Sequence, residues 1–392
     1  MEHPIIIIGS GMAGYTLARE IRKQNKEQTL IMICADDAQN YAKPTLSNAY
    51  ATKKQPNTIA LADATKMATQ LNILINSHAV VVNIDSKNKI ISYMQNGQKT
   101  DLKYYKLVLA LGATPIVPEP LKDHPSVFSV NNLHDYVTFR SFIETKPEKR
   151  IVIVGGGLIG CEFAHDLKAS GYDITVLEKS AYPLSGLLPQ HIAKLFQDKL
   201  SLLGISFLCD TTVKAINDHH ITTQSNQQIP YDSILCAIGL KPNTELAQAS
   251  GIEVNKGIIA NTLLETNQPD IYALGDCVEV NELILPYVMP LMQQAKSLAK
   301  TLLGEPTHLH YPAMPVAIKT PTAPLTVLLP PQNITVTWHD EILEDGLIAS
   351  AIDSENTLRG FILFGATAAK QRMSLTKLIP DLIAPQLTIK TS

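Results

Sequence analysis

Residues 5–14 read I-I-I-I-G-S-G-M-A-G. Four apolar residues run into a G-x-G-x-x-G turn at Gly9, Gly11 and Gly14. A short apolar run closed by a glycine turn predicts a buried parallel strand. Each glycine has a task there. Gly9 permits the tight exit from the strand. A side chain at Gly11 would block the approach of a pyrophosphate to the backbone. One at Gly14 would hold the next helix off the sheet. Ser10 and Met12 occupy the same turn. The helix that follows carries Tyr15, Leu17, Ala18 and Ile21 on its apolar face. Its first N–H groups and positive dipole end would face the phosphates.

Working outward, a second strand is expected at 30–34, ending on Cys34 and followed by Asp36 and Asp37. Asp36 lies 22 residues past Gly14, which suits a carboxylate accepting from ribose hydroxyls at the end of that strand. The alternative is that one of the two adjacent acids caps the next turn. Residues 40–50, N-Y-A-K-P-T-L-S-N-A-Y, form a loop entering a helix, with Lys43-Pro44 fixing the backbone and Ser47 as a local cap. Antiparallel strands are expected at 73–84 and 89–93. Residues 107–114, L-V-L-A-L-G-A-T, read as a buried strand ending in a glycine turn, where the first segment closes.

The opening device then returns. Residues 151–160 read I-V-I-V-G-G-G-L-I-G, with Gly155, Gly157 and Gly160 in register. A helix, a strand at 174–177 and Glu178 follow; Glu178 stands 18 residues past Gly160, near the usual spacing of about twenty. One such fingerprint arises by chance; two, each with strand, helix and acid, do not. Residues 234–242, I-L-C-A-I-G-L-K-P, echo the 107–114 segment and place Gly239 in the turn. Residues 271–277, I-Y-A-L-G-D-C, deliver Gly275 and Asp276 to a loop. A helix is expected at 288–303. From Tyr311 the character changes to prolines (312, 315, 321, 324, 330, 331), short strands and a helix at about 367–379.

Composition excludes several classes. The 392 residues exceed one ordinary core, so two or three domains are expected. With 45% hydrophobic and 18% charged residues and a net charge of −3, the chain reads as globular, with no nucleic-acid signature. Its five cysteines lie far apart, which removes C-x-x-C motifs, zinc clusters and a disulfide framework. No metal site is expected. No stretch approaches the length of a membrane span, and the N-terminus lacks a basic leader. A cytoplasmic location follows from the reduced thiols.

Two dinucleotide sites in one chain imply electron passage between bound nucleotides, from NAD(P)H to a tightly held flavin. The chain resembles the FAD-dependent pyridine nucleotide-disulfide oxidoreductase superfamily. The two fingerprints, L-V-L-A-L-G-A-T-P, I-G-L-K-P-N-T and T-N-Q-P-D-I-Y-A-L-G-D-C occur in that family's order. Within it, A-D-D-x-x-x-Y-x-K-P-x-L-S, G-G-G-L-I-G-C-E-F-A, Y-V-M-P-L-M and P-V-A-I-K-T-P are similar to the rubredoxin reductase branch, with the flavorubredoxin reductases beside it. The fold expected is α/β: two Rossmann-like dinucleotide-binding domains and a C-terminal α+β domain. The resemblance implies a discontinuous FAD-binding domain at 1–114 and 241–310, an NAD-binding domain at 115–240 and a C-terminal domain at 311–392.

The resemblance also implies site residues. FAD would lie on Gly9, Ser10, Gly11, Met12 and Gly14, with Cys34 and Asp36 near its ribose and Val81 at the adenine. Ala110, Gly112 and Gly239 would line the closing turns. Lys43 and Pro44 would lie against the isoalloxazine, with Asp276 near the ribitol or pyrophosphate. Val288 and Lys319 would bring positive charge to the pyrimidine edge. Glu162 would reach Lys43 or the flavin; its plain alternative is a first-turn helix acid. Gly155, Gly157 and Gly160 would cradle NADH, and Glu178 would bond its adenosine ribose and repel a 2′-phosphate. Lys43, Glu162 and Lys319 are thus expected to tune the flavin's surroundings.

The chain departs from the disulfide-type members. Its loop at 41–50 holds no cysteine, so thiol chemistry is not expected there, and Asn48 stands where many ferredoxin-reductase relatives carry lysine. The expected route runs from NADH through FAD to rubredoxin, a small acidic carrier that feeds a hydroxylase such as an alkane monooxygenase. A monomer is expected. The alternatives are flavorubredoxin, ferredoxin or oxygen as acceptor, or a non-catalytic FAD- and NAD-binding redox sensor.

Overall fold

The computed structural model describes residues 3–385. Two five-stranded parallel sheets dominate it. In the first the strand order is Ile271–Ala273, Lys106–Leu109, Ile5–Ile8, Leu30–Ile33, Leu74–Asn76. In the second it is Ser206–Leu208, Asp173–Leu177, Arg150–Val154, Ser233–Cys236, Val127–Phe128. Each central strand is an apolar run that feeds a glycine turn and a helix: Ile5–Ile8 into Met12–Gln24, and Arg150–Val154 into Leu158–Ala169. All four residues of Ile5–Ile8 are buried, as a strand covered on both faces requires. The strand–glycine turn–helix unit of an α/β dinucleotide fold is therefore present twice in one chain. Among the described residues no helix is long and apolar enough to cross a membrane.

Each parallel sheet has an antiparallel companion. Ala79–Asp85, Ile90–Gln95 and Gln98–Lys103 form one; Val213–Ile216, His220–Thr223 and Gln228–Pro230 form the other. The expected strand at 73–84 is in fact two strands. Leu74–Asn76 joins the first parallel sheet, and the chain reverses at Ser77-His78, where His78 takes φ 52°. Ala79–Asp85 then leaves for the antiparallel sheet.

The chain passes between the two parallel units side by side. Ala113–Pro115 and Leu240–Pro242 pair antiparallel, and the Asn243 amide ties the crossing by donating to Leu111 O at 2.8 Å.

The last sheet is antiparallel, ordered Val316–Ile318, Leu325–Leu328, Leu358–Phe364, Gly346–Asp353, Val336–Leu343. The expected helix at 367–379 is two short helices, Ala366–Ala369 and Arg372–Thr376. One face of this sheet shares a core with the second unit. Ile318, Leu325, Ile362 and Phe364 pack with Phe163, Ala164 and Leu167, and with Leu46 and Ala49 from the 40–50 loop. Tyr311, Met314 and Ile383 instead join the core of the first sheet, and Tyr311 bridges Ile383. The stretch expected as a C-terminal domain thus closes against both units. Of its residues, 386–392 lie outside the described ones.

Candidate functional site

The first glycine turn is built as its sequence predicts. Gly9 takes φ +116°, and a Cβ there would sit 2.2 Å from Ala110 O. At Gly14 a Cβ would meet Gly9 O at 2.0 Å. Neither contact is relieved by a side-chain rotation, because the clash is with backbone. Around Gly11 nothing lies within 4 Å. This is a cradle open above its backbone. The helix Met12–Gln24 has no side-chain cap at Gly11, so its first N–H groups point outward without a protein partner.

The second turn repeats each element. Gly155 takes φ +109°, a Cβ on Gly160 would meet Gly155 O at 1.9 Å, and Gly157 faces open space. Helix Leu158–Ala169 likewise has no side-chain cap. Glu178 is buried at the end of its strand. Its carboxylate accepts from Gly156 N at 2.6 Å and from Ser180 N at 2.8 Å. The acid expected to meet ribose braces the glycine loop.

The remaining expected residues gather around the first turn. Asp36 Oδ1 accepts from Ser10 Oγ at 2.8 Å and from Ala38 N at 3.1 Å; Asp37 caps Gln39 N at 3.1 Å. Both acids thus cap turns, and Asp36 in addition holds the hydroxyl of Ser10 from the glycine turn. Cys34 is buried, and desolvation pushes its thiol up to about 12, far from a reactive thiolate. Val81 sits at a register shift in its strand between the half-exposed Val80 and Val82. Ala110 N donates to Ile8 O at 2.9 Å, and Gly112 and Gly239 both take positive φ. Gly275 packs on the first helix so closely that a Cβ would lie 2.8 Å from Ala13 Cβ. The chain's late return thereby sets Asp276 beside the first glycine turn. Val288 opens helix Val288–Leu302, a third helix start without a side-chain cap.

Lys43 and Pro44 begin the 3-10 helix Lys43–Asn48. Lys43 Nζ stands 3.8 Å from Asp276 Oδ2. Desolvation by surrounding protein holds its ammonium below the ordinary lysine range, and Asp276 pulls it partly back. Its side chain nevertheless keeps 35% exposure, so the group is crowded rather than sealed.

Glu162 does not pair with Lys43. It is 1% exposed and accepts from Ser47 Oγ at 2.6 Å and from Lys319 N at 3.0 Å. Its carboxylate also forms an ion pair with Lys319 Nζ. Ser47 accordingly serves Glu162 more closely than a local cap; its bond back to Pro44 O is 3.4 Å. Lys43 and Ser47 leave the same short helix in different directions, one toward Asp276 and one toward Glu162. Three parts of the chain meet at this carboxylate: the loop after the first unit, the helix after the second fingerprint, and the C-terminal sheet.

Asp166, one turn beyond Glu162 on the same face, was not singled out from the sequence. It accepts from Tyr50 N at 3.1 Å and Ala51 N at 2.7 Å. Burial raises its pKa, against those two bonds. Helix Leu158–Ala169 thus grips the 43–51 segment at Ser47 and at Tyr50-Ala51. Arg140 adds a third hold, with its guanidinium 4.2 Å over the Tyr50 ring and bonded to Lys54 O at 2.7 Å. The i, i+4 spacing of the two acids was the one signal available for Asp166.

Residues 3–299 match the family of pyridine nucleotide-disulphide oxidoreductases. The chain belongs to that family. Its next stretch, residues 308–379, matches the rubredoxin binding C-terminal domain. Among relatives of this oxidoreductase, the rubredoxin-NAD(+) reductase of Acinetobacter baylyi is 54% identical over 98% of this chain and 100% of that one. The nitric oxide reductase FlRd-NAD(+) reductase of Klebsiella pneumoniae (strain 342) is 34% identical over 93% of this chain and 96% of that one. A solved covalent putidaredoxin reductase–putidaredoxin complex shares the fold. It has a TM-score of 0.85 at 21% identity and covers 96% of this chain and 94% of that chain. The family name mentions a disulphide, yet all five cysteines here are free, and the buried residues of Lys43–Asn48 are Leu46 and Ser47.

The residues present fit two dinucleotides. Two open glycine cradles, three helix starts without side-chain caps, and acids at both second-strand ends provide the donors and acceptors that pyrophosphate and ribose require.

Proposed function

We propose that this oxidoreductase passes electrons from NADH, through a bound FAD, to rubredoxin. One observation carries the reading: Lys319, inside the stretch that matches the rubredoxin-binding domain, is ion-paired to Glu162, two residues past the second dinucleotide fingerprint.

In this reading FAD supplies the chemistry of taking a hydride and releasing electrons singly. The chain's own residues position and polarise. Gly155, Gly157, Gly160 and the start of Leu158–Ala169 hold the NADH pyrophosphate; Glu178 holds its ribose and repels a 2′-phosphate. Gly9, Ser10, Gly11, Met12 and Gly14, with Cys34, Asp36, Val81, Ala110, Gly112, Gly239 and Asp276, seat the flavin nucleotide. Lys43 and Pro44 lie against its ring. Lys43, Lys319 and the uncapped start of Val288–Leu302 bring positive charge to the ring side, where negative charge builds on reduction. Glu162, bonded to Ser47 and Lys319, fixes where that charge stands. No residue need remove a proton from carbon, so positioning dominates the rate.

The division into 1–114 with 241–310, 115–240 and 311–392 is part of the same proposal. It is supported by the pairing of Ile271–Ala273 with Lys106–Leu109. A monomer completes it, as does a cytoplasmic location, the latter supported by five free cysteines, four of them buried. A hydroxylase such as an alkane monooxygenase is the proposed consumer of the reduced carrier. The similarity to a flavorubredoxin-type relative favours that carrier as the second acceptor. Steady-state rates with purified rubredoxin, flavorubredoxin and ferredoxin test the choice: rubredoxin should give the highest kcat/KM, and a higher value for either other carrier overturns it.

A further inference from the structure

The rubredoxin-binding match covers residues 308–379 as a whole; it does not say which face receives the partner. A cleft of about 510 Å³ opens between the C-terminal sheet, the loop after the first unit and helix Leu158–Ala169. Asn48, Thr52, His165, Lys319, Lys370 and Arg372 stand on its wall. The last two come from the pair of short helices Ala366–Ala369 and Arg372–Thr376 and the turn between them.

Residues 366–379 carry Lys370, Arg372 and Lys377 and no carboxylate, in a chain whose net charge is −3. All three cations are exposed. Beside them Met373 and Leu378 leave 69% and 65% of their surface open to water. Exposed methionine and leucine beside arginine and lysine make the composition of a transient protein interface, apolar at its centre and charged at its rim. Elsewhere on the same domain the hairpin end at 340–345 holds Asp340, Glu341, Glu344 and Asp345 and no cation. Asp345 anchors the first short helix by accepting from Thr367 N at 3.0 Å. This acidic edge adjoins the basic face and bounds it on one side.

We infer that rubredoxin, as an acidic carrier, docks on the Lys370–Arg372–Met373–Lys377 face, over the cleft that reaches Lys319. The inference rests on the proposed function and adds the surface to it. Charge complementarity selects the occupant: three unopposed cations steer a small acidic protein, while Met373 and Leu378 give it an apolar seat. The cleft joins this face directly to Lys319, the residue proposed to stand at the flavin's edge.

The test uses the full FAD-loaded chain with purified rubredoxin. Calorimetric Kd for the oxidised pair and steady-state KM are measured at low and high salt. Lys370→Glu with Arg372→Glu should raise both constants roughly tenfold at low salt and flatten their salt dependence. FAD content, thermal stability and NADH turnover with a neutral quinone should not change. Met373→Ala should weaken binding at both salt levels. Lys99→Glu with Lys103→Glu, on the strand Gln98–Lys103, changes net charge equally and should leave Kd unaltered. The docking face is overturned if the Lys370/Arg372 variant binds within twofold of wild type, or if the Lys99/Lys103 control weakens binding as much. Wild-type protein that leaves rubredoxin unreduced overturns the proposed function, and the docking face with it.

Discussion

Glu162 and Lys319, 157 positions apart in the chain, form an ion pair whose carboxylate is 1% exposed and also accepts from Ser47 Oγ and Lys319 N. The pair fastens the C-terminal sheet to the helix that follows the second glycine fingerprint. A carboxylate so placed is held by all the donors around it, and removing its charge leaves Lys319 without a counter-ion.

Glu162→Gln should therefore destabilise the protein. Breaking a fully buried pair costs about 3–5 kcal/mol, and the 29% exposure of Lys319 lowers the expected loss to about 1–3 kcal/mol. Urea unfolding of Glu162→Gln, Lys319→Met and the double variant checks this. The double variant should lose less than the sum of the two singles, because the pair acts as one unit.

The glycines separate folding from binding. Gly11→Ala and Gly157→Ala place a methyl where the structure has nothing within 4 Å. Both should fold with wild-type far-UV dichroism, and Gly157→Ala should also keep the wild-type Tm. Gly11→Ala should purify with little FAD, and Gly157→Ala should keep FAD but raise the KM for NADH. Gly14→Ala and Gly160→Ala, whose methyls would sit 2.0 and 1.9 Å from backbone oxygens, should lose soluble folded protein. Absorbance of bound flavin, far-UV dichroism and NADH kinetics distinguish the two classes.

Glu178 bears on dinucleotide choice. NADH should be preferred to NADPH. Glu178→Gln keeps an acceptor for only one of Gly156 N and Ser180 N, sets its NH2 against the other, and loses the charge, worth about 1.5–3 kcal/mol per bond to a charged group. The KM for NADH should rise roughly tenfold or more, the NADH-to-NADPH ratio should shrink, and FAD content should stay. A wild-type preference for NADPH would show that Glu178 has another role.

His165 gives the seam a pH dependence. It is 6% exposed, lies 2.9 Å from Thr322 Oγ1, and burial holds its pKa below the ordinary 6.5. The unfolded chain then binds the proton more tightly than the folded one. The contribution is complete above pH 6.5 and is lost as pH falls through the lowered folded value. Each unit of that window removes up to about 1.4 kcal/mol. Unfolding midpoints measured from neutral to mildly acid pH should fall less steeply for His165→Asn than for wild type.

The two glycine turns were legible because their constraint is local. Backbone crowding at Gly9, Gly14, Gly155 and Gly160 admits few other residues, and the buried strands before them are continuous apolar runs. The return of Gly275-Asp276 toward the first unit was expected only through the family resemblance, since a lone Gly-Asp reads as a turn. The partner of Glu162 was not. A contact between residues 162 and 319 leaves no spacing in the chain, and Lys43, nearer to a familiar motif, drew the expectation instead. The antiparallel companions were only partly visible, since Gln98–Lys103 reads Q-K-T-D-L-K with hardly an apolar face. Helix Leu133–Glu144 went unseen although Asn132 caps it through Asp135 N at 2.8 Å; a lone N-x-x-D is a faint signal beside a mixed sequence.

Anaerobic stopped-flow mixing tests the central claim most directly. The FAD-loaded protein is first mixed with NADH and then with oxidised rubredoxin. NADH should bleach the flavin absorbance within the turnover time, and rubredoxin should restore it at least as fast as steady-state turnover, with two rubredoxins reduced per NADH. Flavin that bleaches but is not reoxidised by rubredoxin, or that NADH does not bleach, would contradict the account.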